Sequence, residues 1–179
     1  MSEVIFRNPE ARVDYNPDDI YAPVMRGVTL RVSVAFNGTN RKMWITAGDI
    51  TTAFLNAKPT RDVYVYDPKG FPSKDPGKRL LLLRSLYGLC QSPKEWYECL
   101  RAWLRDNGYI QSKSDPCLFT KKGKNGRLQI ILVYVDDMLI MACSREAAEA
   151  IKDMLRKKFT MTDVEDADKV IGVEIFRVK

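Results

Sequence analysis

Not one of the 179 residues is histidine. That excludes a histidine general base and removes the commonest zinc ligand. The four cysteines, Cys90, Cys99, Cys117 and Cys143, share no C-x-x-C spacing, so a zinc site is not expected and the thiols read as reduced, intracellular ones. Long apolar runs are missing too. The best candidate, residues 130–143, is too short to cross a bilayer and carries Asp136 and Asp137 at its centre. The N-terminal "MSEVIFRNPEARVDYNPDD" has no apolar stretch after a basic start and is not a signal peptide. No internal repeat or low-complexity tract interrupts the chain. With 45% apolar and 29% charged residues it reads as one soluble globular domain.

The net charge of +6 is unevenly spread. Residues 69–127 carry 13 Lys/Arg against 5 Asp/Glu, a balance of +8, and the remainder, 16 against 18, is −2. A basic middle between acidic flanks suits a polyanion-facing surface near a cation site, although a solvated surface has the same composition.

Residues 1–27, rich in Asp, Asn and Pro, read as an irregular docked segment. "VTLRVSVAFN", residues 28–37, is ambiguous: Leu30, Val34 and Ala35 fit a helix face, whereas the β-branched content argues for a strand. "KMWITAGDI" reads as a strand ending near Asp49, and "DVYVYDP" and "KRLLLLRS" as two short strands. "SPKEWYECLRAWLRDNG", residues 92–108, predicts a helix. Ser92 is its N-cap, Pro93 its first position, Glu95 the partner of a capping box and Gly108 its stop. After a polar loop, "LQIILVYV" and "MLIMAC" predict two apolar strands with Asp136 and Asp137 at the bend. "SREAAEAIKDMLRKKF" predicts a helix capped by Ser144, and "DKVIGVEIFRVK" a closing strand. Helices interleaved with strands fit an α+β layer, helices on one face of an antiparallel sheet.

The pair Asp136-Asp137 is the feature that needs a reason. Aspartate is common in turns, and a polar hairpin turn accounts for the pair in isolation. Yet the tip lacks the glycine or asparagine that a tight turn prefers, and the flanking strands are almost wholly apolar. A third carboxylate, Asp49, ends another apolar strand. Side by side in a sheet, Asp49 and Asp136 could share a divalent cation that offsets their repulsion. Oxygen ligands without histidine or thiolate select Mg²⁺ or Mn²⁺. Two such ions roughly 3.5–4 Å apart serve in-line phosphoryl transfer, and a basic surface would hold the nucleic acid whose end reacts.

The same residues carry a resemblance. "YVDD" at 134–137 resembles the catalytic hairpin of reverse transcriptases, and "DITTAFLNA" at 49–57 is similar to their first aspartate motif. "SLYGLCQSPKEWY" at 85–97 resembles a segment particular to copia-type retrotransposon polymerases. "DYNPDDIYAPVMRGVTLR" and "FTMTDVEDADKVIGVEI" resemble that family's flanking blocks, in the same order. The likeness runs over residues 13–176.

That resemblance implies a polymerase palm, an antiparallel sheet backed by helices, within a single reverse transcriptase-like domain spanning 1–179 (irregular to about 27, then palm with abbreviated fingers). It implies Asp49, Asp136 and Asp137 as catalytic carboxylates and ligands of Mg²⁺ (or Mn²⁺). Phe54 would be the steric gate against a 2′-hydroxyl, Tyr134 would lie near the primer end, and Gly88 and Gln91 would line the incoming nucleotide. Lys78, Arg79, Lys94 and Arg101 are candidate template-primer phosphate contacts, each equally readable as a solvated side chain. Implied partners are an RNA or DNA template-primer and dNTPs, with no membrane, in the cytoplasm (a virus-like particle in the family) or nucleus. The chain departs from the family where a basic strand is expected, offering only Arg7 and Arg12, and it stops at Lys179 without a thumb. A co-opted, weakly active or inactive remnant that binds nucleic acid or protein is therefore the second expectation. A carboxylate nuclease, needing further ligands such as Glu174, is the third.

Overall fold

A computed structural model describes residues 20–40, 43–71, 79–123, 126–164, 169–170 and 173–174. Its helices are α1 (Gly27–Asn40), α2 (Ser92–Asp106) and α3 (Arg145–Arg156), with a short 3₁₀ turn at Ala53–Asn56. Its strands are β1 (Trp44–Ile50), β2 (Tyr64–Val65), β3 (Leu80–Leu81), β4 (Ile110–Gln111) and β5 (Leu118–Lys122). They continue with β6 (Leu128–Tyr134), β7 (Asp137–Ala142), β8 (Met161–Val164), β9 (Lys169–Val170) and β10 (Val173–Glu174). The chain divides into two compact units, one built on Phe54–Cys99 and the other on Pro23–Ala53 and Leu100 onward.

The larger unit holds a six-stranded sheet in the order β4-β5-β6-β7-β1-β8, antiparallel at every pairing. Consecutive residues in a strand point to opposite faces. Ile130, Ile131, Leu132 and Val133 of β6 and Met138 to Ala142 of β7 are all buried, so both faces of the sheet centre are covered. The two apolar strands and their bend stand where the sequence puts them. α3 packs across β7 and β1. Ser144, extended at φ −156° and ψ 169°, caps it by accepting the Ala147 N–H at 3.2 Å.

Ala148, Ile151 and Leu155 form the apolar face of α3, and Lys152 is buried beside them, 2% exposed. Its ammonium meets Asp163 of β8 at 3.3 Å and Glu149 at 3.7 Å. Arg156 reaches the same Asp163 at 2.5 Å and Asp153 at 2.7 Å. The helix thereby holds the edge strand by charge as well as by packing.

Residues 28–37 are helical, so the ambiguity over them resolves against the strand. Leu30 and Ser33 face inward while Val28 and Val32 are exposed, and what anchors α1 is distant in sequence. The buried carboxylate of Asp115 accepts the Arg26 N–H at 3.0 Å, the Thr29 hydroxyl at 2.5 Å and the Cys117 N–H at 2.9 Å. A carboxylate at a helix N-terminus satisfies open N–H groups and suits the helix dipole. That outweighs the modest helix penalty of valine and threonine.

The helix predicted over 92–108 is present, but its capping box is not. Ser92 Oγ donates to the Leu86 carbonyl at 2.6 Å. Glu95 turns away from the helix start and accepts the Thr60 N–H at 2.7 Å, the Thr60 hydroxyl at 3.0 Å and the Ser85 hydroxyl. A long-range bridge between two loops has displaced the local cap. The helix ends as expected. Gly108, at φ 82°, donates to Arg105 O while the Tyr109 N–H reaches Leu104 O, the paired bonds of a Schellman stop.

Two other expectations change. The stretch read as a polar loop after α2 contains β4 and β5. The closing segment is a pair of two-residue strands, Val173 opposite Val170 and Glu174 opposite Lys169, in a sheet of its own. The remaining residues of that segment lie outside those described. The smaller unit contains the β2–β3 ribbon, with Tyr64 opposite Leu81 and Val65 opposite Leu80.

Truncating Asp163 to alanine strands the buried Lys152 ammonium and should cost about 1–3 kcal/mol. Lys152→Met should be close to neutral, since a packed apolar chain replaces a buried charge. Urea unfolding of both variants measures this. Asp115 gives a pH signature. Burial pushes its carboxyl up, but the bonds from Thr29, Arg26 and Cys117 and the Arg26 charge hold it below the ordinary value. Its stabilisation is complete above the unfolded carboxyl's value of about 3.9 and is lost as pH falls through the lower folded value. Wild type should therefore lose more stability than Asp115→Asn on going from pH 4 downward, read by thermal melting across that range.

Candidate active site

Three carboxylates lie at one end of the six-stranded sheet. Asp49, next to last in β1, stands directly opposite Asp137, first in β7. Tyr134, last in β6, is opposite Asp137 on the other side. Val135 and Asp136 form the two-residue tip, and the Asp136 carbonyl accepts the Ile50 N–H at 3.0 Å, binding the tip to β1. Asp49, Asp136 and Asp137 are all half-buried.

The charges act on one another. Burial and then the charge of Asp136 raise the carboxyl of Asp49 above its ordinary range. Burial raises Asp137, followed by the charges of Asp136 and Asp49. Like charges directly opposite in an antiparallel pair are destabilising, so the fold carries this arrangement at a cost.

The backbone carries another. Among the described residues only Thr52 and Val135 are non-glycine residues at positive φ, at 52° and 57°. Both are β-branched, for which this region is a genuine outlier. Val135 directly precedes Asp136, and Thr52 lies three residues after Asp49. The hairpin is tight despite lacking glycine at its tip because the sheet register on both sides forces it. Backbone strain of this kind concentrates at functional sites and costs on the order of 1–3 kcal/mol per residue.

Among the described residues no three acidic or thiol side chains converge as a ready-made metal cage. Mg²⁺ does not require one: it dehydrates reluctantly and is usually held by one or two carboxylates with water and substrate phosphates. A set of oxygen donors in which Asp49 and Asp137 are raised by burial and by neighbouring negative charge fits such an ion, and Asp49, Asp136 and Asp137 are the residues that would hold it. Glu174 belongs to the separate β9–β10 sheet.

Of the other predicted site residues, Phe54, Gly88 and Gln91 lie in the smaller unit. Phe54 sits on the 3₁₀ turn with its ring 4.4 Å from that of Tyr87. Gly88 follows at φ 96°, a turn position only glycine adopts freely. Gln91 is buried at 3% exposure and its Oε1 has no hydrogen-bond partner. A buried amide oxygen left open is costly unless something fills it. Arg79 stacks on Tyr66, Lys94 and Arg101 are half-buried on α2, and Lys78 lies outside the described residues. Sequence reasoning missed Tyr87, Thr52 and Val135. Tyr87 stood inside the quoted motif, whereas positive φ at a β-branched residue leaves no local signal.

A family model described as "Reverse transcriptase (RNA-dependent DNA polymerase)" matches residues 6–178. This chain belongs to the reverse transcriptase family. Its relatives are of the copia type. It is 29% identical, over 98% of its length, to "Retrovirus-related Pol polyprotein from transposon TNT 1-94" of Nicotiana tabacum. The corresponding figures are 34% over 96% for "Retrovirus-related Pol polyprotein from transposon RE1" of Arabidopsis thaliana. A putative transposon Ty5-1 protein of Saccharomyces cerevisiae is 33% identical over 71% of the chain. The reverse transcriptase chain spans only 13% and 12% of the two plant polyproteins. Among its described residues no helix is long and apolar enough to cross a membrane.

A carboxyl raised in the folded state weakens the fold as pH climbs through the ordinary carboxylate range and ionisation is forced. In chelator, Asp137→Asn should be more stable than wild type at neutral pH by up to about 1 kcal/mol. The difference should shrink below about pH 4, where the carboxyls are protonated. Denaturant melts at the two pH values decide it.

Proposed function

We propose that this reverse transcriptase chain is the palm and partial fingers of an RNA-directed DNA polymerase, extending a primer with dNTPs on an RNA or DNA template. The observation that carries the reading is the placing of Asp49 opposite Asp137, with Asp136 at the adjoining tip, against both charge repulsion and backbone strain. The family match, running through both compact units, supports taking them as one domain.

Bound divalent metal, Mg²⁺ or Mn²⁺, would supply Lewis-acid polarisation of the phosphoryl oxygens and of the primer hydroxyl. The chain's own residues do the rest. Asp49 on β1 and Asp136 at the tip hold the principal ligand positions, fixed by the Ile50–Asp136 hydrogen bond. Asp137 completes the acidic set, and Tyr134 presents its ring beside the primer end. The primer 3′-oxygen attacks the α-phosphorus of the nucleotide, the new P–O bond forms in line and pyrophosphate leaves. By resemblance to the family, Phe54, its ring against that of Tyr87, would exclude a ribose 2′-hydroxyl, Gly88 and Gln91 would meet the nucleotide, and Arg79, Lys94 and Arg101 would contact phosphates.

Primer extension on an RNA template with dNTPs and Mg²⁺ or Mn²⁺ tests the reading. Asp136→Asn/Asp137→Asn should extend at least about a thousandfold more slowly than wild type, the loss expected when several kcal/mol of electrostatic stabilisation are removed. The other reading is a retrotransposon fold kept as a binding module. Wild type that binds template without metal and never extends a primer would establish that instead.

A further inference from the structure

The β2–β3 ribbon of the smaller unit has its polarity reversed. Residues 62–66 alternate strictly between exposed and half-buried, whereas Leu80 and Leu81 of β3 are both exposed. The outward face of such a ribbon is ordinarily polar. Here it presents Tyr64 at 58% and Tyr66 at 66% exposure, opposite Leu81 at 43%, with Leu83 at 75% two residues on. Tyr64 and Leu81 share this face because they are direct cross-strand partners. The face continues to Arg79, whose guanidinium lies 3.3 Å from the centroid of the Tyr66 ring.

Cations predominate in the sequence around this aromatic surface, Asp62 beside Tyr64 accepting its hydroxyl at 3.5 Å. In residues 58–71 and 79–84, Lys58, Arg61, Lys69, Arg79 and Arg84 stand against Asp62 and Asp67 alone. Flat rings among positive charges match one class of ligand on both counts. A nucleic-acid strand brings phosphates to the cations, and an unpaired base brings a π-face to a ring or guanidinium plane. A duplex hides its base faces in its own stack and offers only the phosphates. An acidic protein would answer the charge but not the flat plates.

We propose that the outward face of the β2–β3 ribbon, Tyr64, Tyr66, Arg79, Leu81 and Leu83, is a stacking platform for unpaired bases of single-stranded nucleic acid. It rests on the polymerase reading only for the identity of that strand as template. The stacked Arg79–Tyr66 pair gives a rigid, positively charged plate, and Tyr64 a second ring one cross-strand pair away. Leu81 and Leu83 exclude water from the base edges without selecting a sequence.

Fluorescence anisotropy with a short unstructured RNA and with the matching duplex, in EDTA, tests the assignment. Tyr64→Leu/Tyr66→Leu keeps the apolar surface and removes the rings. Single-strand affinity should fall about tenfold or more while duplex affinity stays unchanged. Tyr64→Phe/Tyr66→Phe should bind as wild type. Both rings are exposed, so melting temperatures should match. Unchanged single-strand affinity in the leucine variant would overturn the proposal. So would a change of oligomeric state by light scattering in that variant with RNA binding intact, since the face would then be a contact between copies. A chain that stacks RNA but extends no primer retains this platform and loses the polymerase reading. One that extends primers while the leucine variant binds normally does the reverse.

Discussion

The antiparallel register of β1 against β7 is the constraint on which the other features depend. It sets Asp49 opposite Asp137, and through the bond from Ile50 to the Asp136 carbonyl it fixes the hairpin tip. A slip of one residue would exchange the two faces of β1 and undo the packing of Ile45, Ala47 and Ile50, which are buried on opposite faces of the strand. Burial of those three residues is therefore what holds Asp49 in place. The same register obliges Val135 to accept a positive φ, since the strands on either side leave only two residues for the reversal.

Buried or half-buried carboxylates occur in two opposed conditions here. Asp115 and Glu95 are saturated with donors, and each ties together segments far apart in sequence. Asp49 and Asp137 have one another and Asp136 as their electrostatic surroundings, and are pushed toward protonation. Residue type is the same; what differs is whether the surrounding chain donates hydrogen bonds or adds negative charge. The first arrangement secures a fold, and the second costs stability unless something outside the chain compensates it.

Strong, local signals were readable in the sequence. The β6–β7 hairpin, the Ser144 cap and the Gly108 stop each rest on a few adjacent residues, and all three stand as expected. The three aspartates were singled out by motif and pattern, and the placing of Asp49 opposite Asp137 follows from strand order. Features set by distant partners were not readable. Glu95 forms a plausible local capping box, yet Thr60 and Ser85 claim it. The β-branched residues of α1 suggest a strand because the anchoring carboxylate, Asp115, lies 89 residues from Arg26. β4 and β5 were hidden by the polar residues around them, since a short strand takes its stability from its neighbour in the sheet rather than from its own composition.

The two flanks of the six-stranded sheet end in unequal but equally guarded ways. β4 is two residues long, and β8 is four residues long with Asp163 gripped by Lys152 and Arg156. An edge strand presents a row of open amide and carbonyl groups that another chain can extend. A two-residue edge offers too little ladder for that, and an edge strand clamped by helix charges cannot flatten to receive a neighbour. Both edges thus limit growth of a sheet whose centre is as apolar as a fibril-forming segment. Salt that screens the clamp would loosen β8 first, and colloidal stability should then decline before the core itself gives way.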